Sequence, residues 1–92
     1  MKDLITDEAA LMLKNNDLNE KVKKIKETFS LYLPVESYLL EVIFDPEDGS
    51  KVFNITALTK VELTRALDIL ECFCQDNEMD SNIILDVSIL EC

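Results

Sequence analysis

The stretch from Thr59 to Asp76, TKVELTRALDILECFCQD, carries the clearest helical signal in the chain. Leu63, Ala66, Leu67, Leu70, Phe73 and Cys74 recur at the spacing that lines one face of a helix with about 3.6 residues per turn. Thr59 and Glu62 precede them in the T-x-x-E arrangement of a capping box. There the Thr hydroxyl accepts a hydrogen bond from the Glu62 N–H, and the Glu carboxylate accepts one from the Thr59 N–H. A helix with one apolar stripe has to bury it. The segments on either side alternate with the period of strands, so a sheet is the expected cover.

Glu36 to Phe44 is rich in β-branched and aromatic residues. Tyr38, Leu40, Val42 and Phe44 point one way, and Leu39, Glu41 and Ile43 the other. Asp45 to Ser50 is a turn, with Pro46 suited to an early position and Gly49 to a positive φ. Lys51 to Ala57 returns as the second arm of a hairpin, with Phe53, Ile55 and Ala57 on its apolar face. Beyond the helix and a loop over residues 77–82, Ile83 to Leu90 forms the last strand. Its apolar face is Ile83, Leu85, Val87 and Ile89. Its mixed face is Ile84, Asp86, Ser88 and Leu90. The simplest arrangement is a three-stranded antiparallel sheet of order 2-1-3, the first strand central, packed on the capped helix. The outer sheet face then carries Leu39, Ile43, Ile84 and Leu90 beside Glu41 and Asp86. Such a face can lie open, dimerise or receive a partner, and each sheet edge can accept a strand.

The N-terminal third reads as helical. Residues 3–14 place Leu4, Ile5, Leu11 and Met12 on one side. Asn15, Asn16 and Asp17 favour a break, and Asp17 with Glu20 resembles a second capping box. A helix from Leu18 to about Leu31 follows, with Leu18, Val22, Ile25, Phe29 and Tyr32 on its apolar side. Leu4, Leu11, Leu18, Ile25 and Tyr32 recur every seven residues, which also allows one continuous helix. Two helices are preferred, and Pro34 ends the region. The fold class is α+β: one or two N-terminal helices, then a β-β-α-β unit.

A chain of 92 residues is expected to form one domain over 1–92, and 48% apolar with 30% charged residues marks it as globular. No apolar run approaches the ~20 residues of a membrane span. Acids interrupt the apolar positions of the N-terminus, so a signal peptide is not expected and a cytoplasmic location is. Three cysteines argue against a disulfide framework. Cys74 is expected in the core and Cys72 partly exposed, while a cross-link through Cys92 would be an artefact of air oxidation.

The formal charge of −10 is unevenly placed. Residues 1–33 hold six lysines against six acids, and residues 34–92 hold three bases against thirteen acids. The excess negative charge therefore falls wholly in the β-β-α-β part. It repels nucleic acid and anionic membrane and attracts basic protein surfaces. Lys21, Lys23, Lys24 and Lys26 crowd the second helix. With no arginine and no interleaved aromatic among them, they read as a solvated face and not as a phosphate or lipid contact.

The chain has no histidine, which removes the commonest general base and every His-dependent triad. Its single glycine lies in the hairpin turn, so no Gly-rich phosphate loop exists. Cys72, Cys74 and Cys92 lack a fourth zinc ligand. Residues 76–80 alternate oxygens like a calcium loop, but Ser81 stands where glycine is needed and Val87 where a bidentate Glu is needed. No cofactor, metal or enzymatic activity is expected. The expected role is a small acidic protein that binds and inhibits a partner protein, by occupying a basic nucleic-acid-binding surface. Anti-CRISPR proteins, immunity proteins and antitoxins share this size and charge, an analogy that no motif supports. The expected contact residues are Glu47 and Asp48 at the hairpin tip, Asp76, Glu78 and Asp80 at the far end of the capped helix, and Glu41 and Asp86 on the outer sheet face. The alternative is an acidic dimeric chaperone or regulatory subunit that binds through the apolar part of that sheet face.

Overall fold

The computed structural model describes residues 3–77 and 82–90. In chain order the elements are β1 (Leu4–Ile5), α1 (Asp7–Met12), α2 (Asn16–Tyr32), β2 (Ser37–Phe44), β3 (Lys51–Thr59), α3 (Leu63–Asp76) and β4 (Ile83–Ile89). The class is α+β, with one mixed sheet and three helices among the described residues. The four strands lie in the order β1-β2-β3-β4. β1 is parallel to β2, β2 and β3 form the antiparallel hairpin, and β3 is parallel to β4.

This order replaces the expected 2-1-3 arrangement, and the N-terminus supplies the reason. Leu4 and Ile5 pair with Leu39 and Leu40, and the Thr6 N–H donates to the Leu40 carbonyl at 3.1 Å. The slot beside β2 is therefore taken, and the last strand adds to β3 instead. A parallel neighbour needs a crossover of about a dozen residues or more, and α3 with its flanking turns supplies it.

Residues 3–14 are accordingly not one helix. Leu4 and Ile5 are extended, and the Thr6 hydroxyl then caps α1 by accepting from the Ala9 N–H at 3.2 Å. Asp7 and Glu8 follow in the first turn, where carboxylates complement the helix dipole. The break before α2 is where the asparagines placed it, but the cap is Asn15 and not Asp17. The Asn15 Oδ1 accepts from the N–H groups of Asp17 and Leu18, at 3.0 and 3.3 Å. Two helices thus replace the continuous alternative. α2 stops at Tyr32, and Leu33 is already extended before Pro34.

All three helices cover one sheet face. Ala9, Val22, Phe29, Leu33, Ala66 and Phe73 meet Leu40, Phe53, Ile55, Ala57, Leu85 and Val87 in one buried cluster. The ring of Phe73 sits edge-on to Phe29 at 5.1 Å and to Tyr32 at 5.3 Å. These contacts fix the rotation of α3. Ala66 and Phe73 are buried and Ile69 and Leu70 half-buried, whereas Leu63, Leu67 and Cys74 are exposed. The expected stripe is therefore correct along one flank only, and Cys74 stands outside the core, exposed as Cys72 is.

The expected capping box does not form. Thr59 is the last residue of β3, and Glu62 precedes α3 with no side-chain cap bond. The Thr59 hydroxyl is wholly buried, donates to the Pro34 carbonyl at 2.7 Å and accepts from the Val61 N–H at 3.2 Å.

A polar cluster ties the N-terminus to α2 and β2. Asp3 pairs with Lys26 at 2.7 Å and accepts from the Tyr38 N–H at 3.2 Å. The Tyr38 hydroxyl donates to the Lys26 carbonyl at 3.0 Å and lies 2.8 Å from Ser30 Oγ. Burial pushes the Tyr38 phenol above its ordinary 10.0, outweighing the bond to Ser30, with the nearby Asp3 charge adding to the rise. A raised folded-state value means that the folded chain holds this proton more tightly. The stability it contributes is complete below pH 10 and is lost as pH rises through the folded value. Denaturant midpoints measured from neutral to strongly alkaline pH should fall at the alkaline end, and Tyr38→Phe should lose part of that fall. Equal alkaline slopes for the two proteins would contradict this assignment.

Candidate protein-binding face

With every helix on one side, the opposite face of the sheet is uncovered among the described residues. The register places its side chains in rows across the strands: Leu4, Leu39, Thr56 and Asp86; Glu41, Asn54 and Ile84; Ile43 and Val52. Ile43 and Ile84 remain 43% and 45% exposed, and Leu4 58%. Leu39, Leu58 and Leu90 are half-buried. Leu4 joins the face only because β1 exists, so the expectation of a helix at 3–14 missed it. The T-D-E run at residues 6–8, a cap followed by two acids, is the signal that could have ended β1 and started α1 at the right place.

Glu41 and Asp86 both lie on this face, as expected from their alternation. They are separated by β3, so their strands are roughly 10 Å apart. Asn54 stands between them, buried, and donates to Glu41 Oε1 at 3.3 Å and Thr56 Oγ1 at 3.0 Å. One carboxylate is thereby held in orientation on β2. Asp86 lies on the outermost strand and accepts the N–H of its neighbour Val87 at 2.8 Å. Among the described residues no lysine or arginine points out of this face: Lys51 shares the register position of Phe44 and lies over its ring.

The other expected contact residues do not join this face. At the hairpin tip Asp45 and Asp48 are spent on the turn. Asp45 Oδ1 accepts from the Glu47 N–H and Asp48 Oδ1 from the Ser50 N–H, each at 2.9 Å, and Gly49 takes a φ of 72°. The Ser50 side-chain and backbone bonds hold the Asp48 carboxyl below its ordinary 3.8. Glu47 is exposed at the tip of the same turn. Asp76 belongs to the helical layer, where it accepts from the Tyr32 hydroxyl at 3.1 Å. Glu78 and Asp80 lie outside the described residues. The expected set is thus divided: Glu41 and Asp86 share a face, Glu47 and Asp48 sit at the end of its hairpin, and Asp76 lies on the other side of the sheet.

Chemically the face offers two carboxylates, an amide, a hydroxyl and a set of aliphatic side chains. Among the described residues it has no thiol and no base positioned to activate a nucleophile. Among the described residues no helix is long and apolar enough to cross a membrane. Comparison with protein-family models, with curated proteins and with solved structures finds no match for this chain.

Proposed function

We propose that the chain is a non-catalytic binding protein whose uncovered sheet face takes a basic surface of a partner protein and blocks it. The observation that carries the reading is that face: Glu41 and Asp86 stand among Leu4, Ile43 and Ile84, with no base beside them among the described residues. Exposed aliphatic side chains on a sheet mark an interaction surface. The sign of its charge selects a partner rich in lysine and arginine. A groove built to hold nucleic-acid phosphates has that composition, so a nucleic-acid-processing enzyme is the target class whose chemistry fits best. Glu47, exposed at the tip of the hairpin whose arms carry the face, is a further carboxylate available to such a partner.

Capture from host lysates tests the reading, with the wild-type chain and the Glu41→Lys/Asp86→Lys double variant as baits. The expected result is a basic partner retained by the wild type, lost when salt is raised from ~0.05 to ~0.5 M, and not retained by the double variant. The captured enzyme should lose activity on its nucleic acid when the wild-type chain is added. A partner held equally by both baits, or held without regard to salt, would sink the proposal.

A further inference from the structure

One polar side chain on the open sheet face is almost wholly withdrawn from solvent. Asn54 is 7% exposed and stands between its register partners, Glu41 on β2 and Ile84 on β4. An ionised Glu41 can only accept hydrogen bonds, so the Asn54 amide turns its NH2 group towards it. Both N–H bonds of that group are used, one on Glu41 Oε1 at 3.3 Å and one on Thr56 Oγ1 at 3.0 Å. The Asn54 carbonyl, Oδ1, has no donor among the described residues. No fully buried side-chain oxygen or nitrogen lacks a partner among them, so Oδ1 belongs to the small part of Asn54 that reaches the surface. Water can serve it in the free chain, and an N–H group of a partner can take the place of that water.

The carboxylates beside it have the same bias. Among the described residues Glu41 uses only Oε1 and Asp86 only Oδ1. The second oxygens of Glu41 and Asp86, with Asn54 Oδ1 between them, form a diagonal row of acceptors across β2, β3 and β4, neighbours being about 5–8 Å apart. Ile43 and Ile84, 43% and 45% exposed, flank the Glu41–Asn54 pair. The complement of such a place is a positive group with several N–H donors, no acceptor and a flat face that packs on aliphatic side chains. Guanidinium meets all of these conditions, with its donors fixed in one plane and a weaker hydration than ammonium. A lysine ammonium matches the charge but gathers strongly hydrated donors at one point. It suits a carboxylate in open water better than a carbonyl set into the sheet.

We infer that Glu41 and Asn54 form a site for an arginine side chain of the partner, whose guanidinium donates to Glu41 Oε2 and Asn54 Oδ1 together while its plane rests on the neighbouring isoleucines. The site lies within the face proposed above to take a basic surface, and it stands only if that reading holds. Asn54 sets the preference for arginine over lysine in two ways. Its NH2 group fixes the Glu41 carboxylate across the strand pair, and its carbonyl supplies a second acceptor beside that carboxylate. A planar fork can use both acceptors at once, and a point charge gains mainly from the carboxylate. Asp86, on the far side of β3, adds negative charge to the face without entering the choice between the two bases.

Titration of the isotope-labelled full chain with capped tetra-arginine and tetra-lysine peptides at ~0.15 M salt tests the site, read by NMR at the Asn54 side-chain NH2 and the backbone N–H groups of Glu41 and Asp86. The expected result is that the arginine peptide moves these signals and binds about fivefold or more tighter than the lysine peptide. Asn54→Leu should bring the ratio of the two affinities close to one while lysine binding is kept. Glu41→Gln, at a half-buried position, should weaken both peptides and erase the preference as well, so the test survives if the Asn54 variant does not fold. No shift at Glu41, Asn54 and Asp86 with either peptide would overturn the site together with the reading of a basic partner. Equal affinities for the two peptides at these residues would overturn the arginine site alone, as would a preference for arginine that persists in Asn54→Leu.

Discussion

Phe73→Ala should lower the unfolding free energy by about 3–5 kcal/mol, the usual cost of deleting a buried aromatic side chain. Phe73 is 1% exposed and is the point where α3, α2 and the sheet meet. Its ring has two edge-on partners, Phe29 and Tyr32, and aromatic pairs in this geometry add about 0.5–1.5 kcal/mol each beyond the area they bury. Without the ring, Tyr32 loses the surface that orients its hydroxyl towards Asp76, and the two helices lose their main contact. A domain of this size has about 5–15 kcal/mol in total, so the variant should be close to unfolding at body temperature. Urea titration of wild type and variant measures the difference, with the midpoint falling and the slope unchanged. Cys74→Ala is the matched control one residue along. Because Cys74 is exposed, its loss should stay within ~0.5 kcal/mol. A small effect at Phe73, or a large one at Cys74, would mean that α3 is rotated towards the stripe read from periodicity.

That contrast shows where sequence reading reaches and where it stops. The apolar arc of α3 is wide: Leu63, Leu67 and Cys74 are as apolar as Ala66, Ile69 and Phe73. Periodicity finds the helix but does not say which part of the arc faces the sheet. The decision falls to Phe29 and Tyr32, more than forty positions away in the chain. The strands were legible because period-two alternation is unambiguous when one face is buried, and Glu41 and Asp86 came out on the open face for the same reason. Strand order was not legible. It turns on β1, whose two residues are too few to show any period. β1 is held by backbone pairing and by Asp3 bonds to Lys26 and Tyr38. Charge composition located the acidic part of the chain but did not sort its carboxylates by task. Asp48 and Asp76 looked as available as Glu41, yet one is spent on a turn and the other on a tyrosine. The sorting depends on hydrogen bonds that composition cannot display.

Thr59 separates the two readings of the helix start most sharply. In a capping box, asparagine is as good a cap as threonine or better, so Thr59→Asn would be neutral or mildly stabilising. In the folded chain Thr59 ends β3, fully buried, with its hydroxyl bridging the Pro34 carbonyl and the Val61 N–H. Asparagine there brings a larger and more polar side chain into a closed space. Overpacking costs about 1–3 kcal/mol, and each buried group left without its partner costs a further ~1–3 kcal/mol. Thr59→Asn should therefore lose about 3 kcal/mol or more. Thr59→Val keeps the shape and removes only the two hydrogen bonds, so it should lose about 2–4 kcal/mol by the same partner cost. Serine keeps both bonds and gives up one methyl group, about 1 kcal/mol. The expected order of stability is wild type, serine, then valine and asparagine together, read from urea midpoints. An asparagine variant at or above the wild type would restore the capping box. The predicted loss would instead locate the junction between sheet and helix at Thr59, where the 34–36 connection crosses the end of β3 and the Glu36 N–H bonds the Leu58 carbonyl at 2.8 Å.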